Sequence, residues 1–270
     1  MVRVFFTIGL LLALQAAAAQ SGSGLRLLRS YPAPVADATL DNLGNLYLVS
    51  ENGQVKKYGP GGDSISVYNS VQRNGKLQTL DVSNPLRPLL FYRDYGQVVL
   101  LDRLLAVQAT LDLRRQGITQ PLAAAMSFDN KVWVFDGVTN QLKKLDDAGK
   151  VLLETPDLRQ VFAGGVQPQQ IIDHNGWVYL ADSAQGLFAF DYFGSFKRKI
   201  PVAGWRHLQV TDSVVLGISE GGFHTYNLAT LMQATQPLPP ILQDCAPIRW
   251  SEKGWLAICG GVVKLFSATP

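Results

Sequence analysis

Cys245 and Cys259 are the only cysteines in the 270-residue chain, so a single intramolecular disulfide is the most it can form. Pro247-Ile248-Arg249-Trp250 and Trp255-Leu256-Ala257-Ile258 read as two arms of a hairpin turning through Ser251 to Gly254. Counting outward from that turn sets Cys245 opposite Cys259, or one residue off, and opposed strand positions lie within disulfide reach. A structural disulfide is expected, with two buried thiols as the alternative. Zinc is disfavoured, because no His/Cys set with zinc spacing surrounds the pair.

His174, His207 and His224 fall in different segments, one of them in an Asp-His-Asn-Gly turn and another between Phe223 and Thr225. A catalytic or metal site needs converging groups, so structural roles are expected for all three. Asp102, Asp136, Asp182 and Asp191 end apolar runs at comparable places. Gathered on one rim they could offer oxygens to a cation; taken singly, each caps a turn by bonding its own backbone. Capping explains each without a partner and is preferred. Gly164-Gly165, Gly221-Gly222 and Gly260-Gly261 precede no helix carrying Lys-Ser/Thr, so they read as bends and not as phosphate loops. No catalytic residue, cofactor or metal is therefore expected. Arg87, Tyr92, Arg93, Tyr95, Arg103, Arg114 and Arg115 form the one notable cluster, a candidate interaction patch. Arg and Tyr combine contact area with directional bonds and are favoured at interfaces; a solvated rim is the plain alternative.

The elements that must position these residues repeat. Asp129-Asn130-Lys131-Val132-Trp133-Val134-Phe135-Asp136 followed by Gln141-Leu142-Lys143-Lys144-Leu145-Asp146 reads as two strands and a turn, and variants recur along the chain. Aligning Tyr47, Phe91, Trp133, Tyr179, Val215 and Leu256 gives steps averaging about 42 residues, the spacing of one four-stranded propeller blade. Val132 to Phe135, Val98 to Leu101 and Leu187 to Phe190 are apolar on both faces, as strands are when both sides of their sheet are covered. Asn52-Gly53 marks a hairpin turn in which both positions need positive φ. The expected fold is all-β: a six-bladed propeller of four-stranded antiparallel blades over 20–270. Leu25 to Tyr31 stands alone and can complete the last blade beside Val262 to Phe266, closing the ring and removing free edges.

Residues 1–19 read as a cleavable secretory signal peptide. Arg3 supplies the charge, Val4 to Leu14 the apolar run, and Ala17-Ala18-Ala19 the small-residue cleavage signal. The run is too short to span a bilayer. The formal charge of +3 gives no concentrated basic face, which argues against nucleic acid as a partner. An exported, periplasmic chain that does not span the membrane is expected, a monomer on its own, with secretion as the alternative address.

The hairpins at Gly44 to Leu48 and Gly176 to Leu180 resemble six-bladed propellers of the NHL and TolB-like kind. The segment Leu80-Asp81-Val82-Ser83-Asn84-Pro85-Leu86-Arg87-Pro88-Leu89-Leu90-Phe91-Tyr92, with the cleavage site, resembles a group of periplasmic propellers of Bacteroidota. That resemblance implies an outer-membrane assembly as partner, including the plug subunit of the type 9 secretion translocon. Gluconolactonase-like propellers hold a metal, but their early Glu-Gly-Pro stretch is absent. The expected function is non-enzymatic docking onto a protein partner. The alternatives are a glycan or small-ligand propeller stacking sugar on Trp177, Trp205 or Tyr192, and a metal-dependent hydrolase using rim carboxylates.

Overall fold

The computed structural model describes residues 25–32, 34–69, 75–220, 222–251 and 254–267. The proposed signal peptide and Gly221 lie outside these residues.

Twenty-four strands form six separate four-stranded antiparallel sheets. The first strand, β1 (Arg26–Pro32), stands apart from its neighbours in sequence. Blade 1 is β2 (Asp37–Leu40), β3 (Leu46–Val49), β4 (Val55–Tyr58) and β5 (Ser64–Tyr68). Blade 2 is β6 (Thr79–Asp81), β7 (Leu89–Tyr92), β8 (Gln97–Leu101) and β9 (Val107–Asp112). Blade 3 is β10 (Pro121–Met126), β11 (Val132–Asp136), β12 (Gln141–Leu145) and β13 (Val151–Glu154). Blade 4 is β14 (Gln170–His174), β15 (Trp177–Asp182), β16 (Gly186–Asp191) and β17 (Phe196–Ile200). Blade 5 is β18 (Arg206–Val210), β19 (Val214–Ser219), β20 (Gly222–Asn227) and β21 (Gln233–Gln236). Blade 6 is β22 (Cys245–Ser251), β23 (Gly254–Cys259) and β24 (Val262–Ser267), and β1 joins it as the outermost strand beside β24. Strands β1 and β24 thus close the ring, as the isolated strand before Tyr31 suggested.

The core consists of six apolar clusters, one at each junction between blades. This follows from burial along the strands. The second strands β3, β7 and β11 are buried at every position, because neighbouring blades cover both faces. Outer strands meet solvent: β13 alternates, and β21 is exposed throughout.

Lys143 and Lys144 break the apolar run of β12, and their long stems carry their ammonium groups toward opposite ends of the sheet. Lys143 reaches Asp136 at 3.2 Å and Lys144 reaches Asp129 at 2.6 Å. The aligned residues Tyr47, Phe91, Trp133, Tyr179 and Leu256 all face the following blade. Val215 instead faces the preceding one, so Leu216 is its structural equivalent; one residue of slip turns a strand side chain to the other face.

Two local readings are settled by the backbone. Cys245 pairs with Cys259 in the β22–β23 ladder, and the two are disulfide-bonded with Cα atoms 4.2 Å apart. At Asn52-Gly53 only the glycine takes positive φ, at 82°. The turn is therefore not the two-residue form the sequence suggested; Ser50 N–H bonds the Gln54 carbonyl and Gly53 N–H the Ser50 carbonyl.

Candidate functional site: the channel mouth and upper rim

The first strands of blades 1, 2, 4, 5 and 6 line a central channel of about 460 Å³. Because these strands run in the same sense around the axis, the channel has a lower end where they begin and an upper end where they finish. The upper rim carries the turns joining first to second and third to fourth strands. The lower rim carries the second-to-third turns and the connections between blades.

Toward the lower end, Arg249 and Asp37 form a two-pronged ion pair at 2.6 and 2.9 Å, tying blade 6 to blade 1. Arg249 also donates to the Ala38 carbonyl. His207 lines the same wall with a left-handed backbone, φ 53°. Burial holds its imidazole below the usual histidine range, and Arg249 pushes the same way.

The upper mouth is acidic. Asp173 accepts from Trp133 Nε1 at 2.9 Å, Ser127 Oγ at 3.1 Å and the Tyr192 hydroxyl at 2.8 Å. Asp41 accepts from the N–H of Leu43 and Asn45 and from Tyr47. Asp81 accepts from Ser83 N–H at 2.8 Å and from Met126 N–H, one blade on, at 2.7 Å. Burial pushes the Asp81 carboxyl up, against the pull of those backbone bonds. Burial and then Asp173 push the Tyr192 phenol up to about 12. Burial and then Asp41 raise Tyr47 further still.

Around this mouth the upper rim presents a ring of apolar side chains that the sequence reading missed. Leu43, Leu86, Leu104, Phe128, Phe193, Leu231 and Met232 are exposed in upper turns of blades 1 to 5, Phe193 at 84% and Met232 at 71%. Four share one device: an Asp or Asn two residues earlier accepts the apolar residue's own N–H. The pairs are Asp41–Leu43 (3.0 Å), Asn84–Leu86 (3.0 Å), Asp102–Leu104 (2.8 Å) and Asp191–Phe193 (3.0 Å). The signal was present as a turn-forming Asx two residues before a large apolar residue. Leu231 is held at φ 60°, uncommon for a bulky residue, yet its side chain points into solvent. The lower turns expose a smaller set, Tyr95, Val138, Val161 and Ile241.

The residues singled out from sequence sort as follows. Asp102, Asp136, Asp182 and Asp191 each cap a turn through the N–H two residues on. They form no single ring, since Asp102 and Asp191 end third strands on the upper rim and Asp136 and Asp182 end second strands on the lower. Among the described residues no group of three or more His, Cys, Asp or Glu is arranged to hold a metal. His174 bonds Asp212 at 2.8 Å on the upper rim, and His224 is buried, bonded to Ser219 and Thr235 and stacked on Trp205. The histidines do not converge.

The arginine cluster is divided. Arg87, paired with Asp147 at 2.8 Å, and Arg103 lie on the upper rim. Arg93, Tyr95, Arg114 and Arg115 lie on the lower, where Arg93 and Arg114 donate to the Leu122 and Asp94 carbonyls. Tyr92, 1% exposed, packs between blades 1 and 2 and offers nothing to a partner; a second strand is covered on both faces. The sugar-stacking aromatics are also displaced. Trp205 is buried and Trp177 packs against the same inter-blade cluster. Tyr192 stacks on Phe128 at 4.3 Å, and none of the three lines the channel.

No family model matches the chain, and no curated protein does. Among solved structures, a streptogramin B lyase is 15% identical, covers 88% of this chain and 81% of its own, and superposes with a TM-score of 0.60. A virginiamycin B lyase from Staphylococcus aureus is 9% identical, covering 89% and 99%, with a TM-score of 0.61. BamB from Moraxella catarrhalis is 17% identical, covering 87% and 75%, with a TM-score of 0.50. At such identities the likeness is one of fold: this chain is an all-β propeller of six four-stranded blades.

Proposed function

We propose that this chain is an exported, non-catalytic propeller that docks through its upper rim onto a protein partner, an outer-membrane assembly such as a secretion translocon. The observation that carries the reading is the ring of exposed apolar side chains held on rigid upper turns of five blades. Monomeric soluble proteins seldom concentrate protruding apolar groups on one face without a use for them. Asx capping fixes these turns before any encounter, which lowers the ordering cost of binding. The Cys245–Cys259 disulfide supports an address outside the cytoplasm, where such bonds persist. The periplasm is the compartment proposed, with residues 1–19 as the export signal.

The test is capture by tagged mature protein from outer membranes in mild detergent, with mass spectrometry of what is retained. Recovery of one outer-membrane protein in fixed ratio is expected. A partnerless monomer in every extract would contradict the reading.

A further inference from the structure

The upper mouth and the rim around it together define the chemistry of whatever docks there. Asp41 and Asp173 are anchored by backbone N–H, amide, hydroxyl and indole donors, all of them neutral. Neutral donors fix a carboxylate in place without cancelling its charge. Lys57, which lies in the field of Asp41, gives its ammonium to the Arg103 carbonyl at 2.9 Å. Asp212, beside the mouth on the blade 5 turn, is largely in solvent with His174 and Asn175 as its partners. The guanidinium of Arg249, by contrast, is already matched to Asp37. The open end of the channel is thus negative, the first-to-second-strand turns beside it expose Leu43, Leu86 and Phe128, and the channel behind it has room for a long side chain.

We propose that the partner presents a Lys or Arg side chain to this mouth, flanked by apolar residues that pack on Leu43, Leu86 and Phe128 of the adjoining turns. The proposal rests on the docking reading above and names the partner's chemistry: a basic, apolar protein segment. A divalent cation fits less well, since it needs carboxylate oxygens directly and these are occupied by protein donors. A long-stemmed cation needs only the field and a few acceptors, and Thr39, Thr79 and Gln78 in the wall supply those. Opposite charge steers encounter and fixes register, and an acidic segment would be repelled.

Two short peptides with the same leucine pattern, one carrying lysines and the other glutamates, test this by fluorescence anisotropy against the mature protein. The expected result is binding of the Lys/Leu peptide about tenfold or more tighter than the Glu/Leu peptide, weakening several-fold in about 0.5 M NaCl. Asp212→Asn, an exposed change that should leave the fold intact, is expected to narrow the preference. Equal affinity for the two peptides, no binding of either, or a preference untouched by salt overturns the proposal. The docking reading fails separately. Membrane capture without a partner, alongside a salt-sensitive Lys/Leu preference, would reject docking and keep the mouth's chemistry. A captured partner with indifferent peptides would do the reverse.

Discussion

Trp133 Nε1 donates a 2.9 Å hydrogen bond to Asp173 Oδ2, joining the second strand of blade 3 to the first strand of blade 4. The same carboxylate holds Ser127 and Tyr192, so one side chain adds three directional bonds to a junction otherwise packed by apolar side chains. Asp173→Ala leaves the indole N–H and two hydroxyls without this acceptor. A loss of about 2–4 kcal/mol is expected, read as a lower denaturation midpoint with an unchanged slope. A midpoint within error of the parent would show that water replaces the carboxylate.

Closure of the ring by β1 makes a second expectation. Removing the chain up to residue 33 uncovers the backbone edge of β24, which pairs with β1 from Arg26 to Pro32. An open edge recruits other chains. The truncated protein should elute as oligomers or precipitate, whereas a stable monomer by light scattering would mean that the ring does not depend on β1.

The disulfide joins residues 14 apart in sequence, across the first two strands of blade 6. Limiting a loop of that size in the unfolded chain is worth about 3 kcal/mol. Replacing both cysteines with serine should lower stability by about that much and leave rim-dependent binding in place. A circular dichroism melt compared with the parent decides it.

Burial lowers the imidazole of both His207 and His224 from the ordinary histidine value of about 6.5. The unfolded chain then binds more protons than the folded one once pH drops below about 6.5, so stability falls with acidification from there. It is fully present above the unfolded value and lost as pH falls toward the folded ones. His224→Gln should flatten part of the pH 5–7 slope in denaturant titrations. An unchanged slope would place the effect elsewhere.

Much of this architecture was legible because it depends on patterns that local chemistry enforces. Strands apolar on both faces, as in Val132 to Phe135, required neighbours on both sides, and the ring supplies them. The solitary strand before Tyr31 had one place to go, and counting from the Ser251 turn put Cys245 beside Cys259. The candidate site was less legible. Arg87 and Arg93 are six apart in sequence yet sit on opposite rims, because one strand runs the height of the blade between them. Tyr92 looked like an interface residue by type and is core by position. Phe193 and Leu104 are of core-forming type and yet exposed, because a preceding Asp turns the chain beneath them. Residue type reports what a side chain prefers; the turn decides which way it points.

The most direct test of upper-rim docking compares two multiple variants in the same capture from outer membranes. One replaces Leu43, Leu104, Phe193 and Met232 with serine on the upper rim; the other replaces Tyr95, Val138, Val161 and Ile241 on the lower. All eight side chains are exposed, so both variants should fold and melt as the parent does. The account predicts that the upper variant loses at least about nine-tenths of the captured partner, a change of about 1.4 kcal/mol or more, and that the lower variant keeps it. Full capture by the upper variant, or loss confined to the lower one, would contradict it.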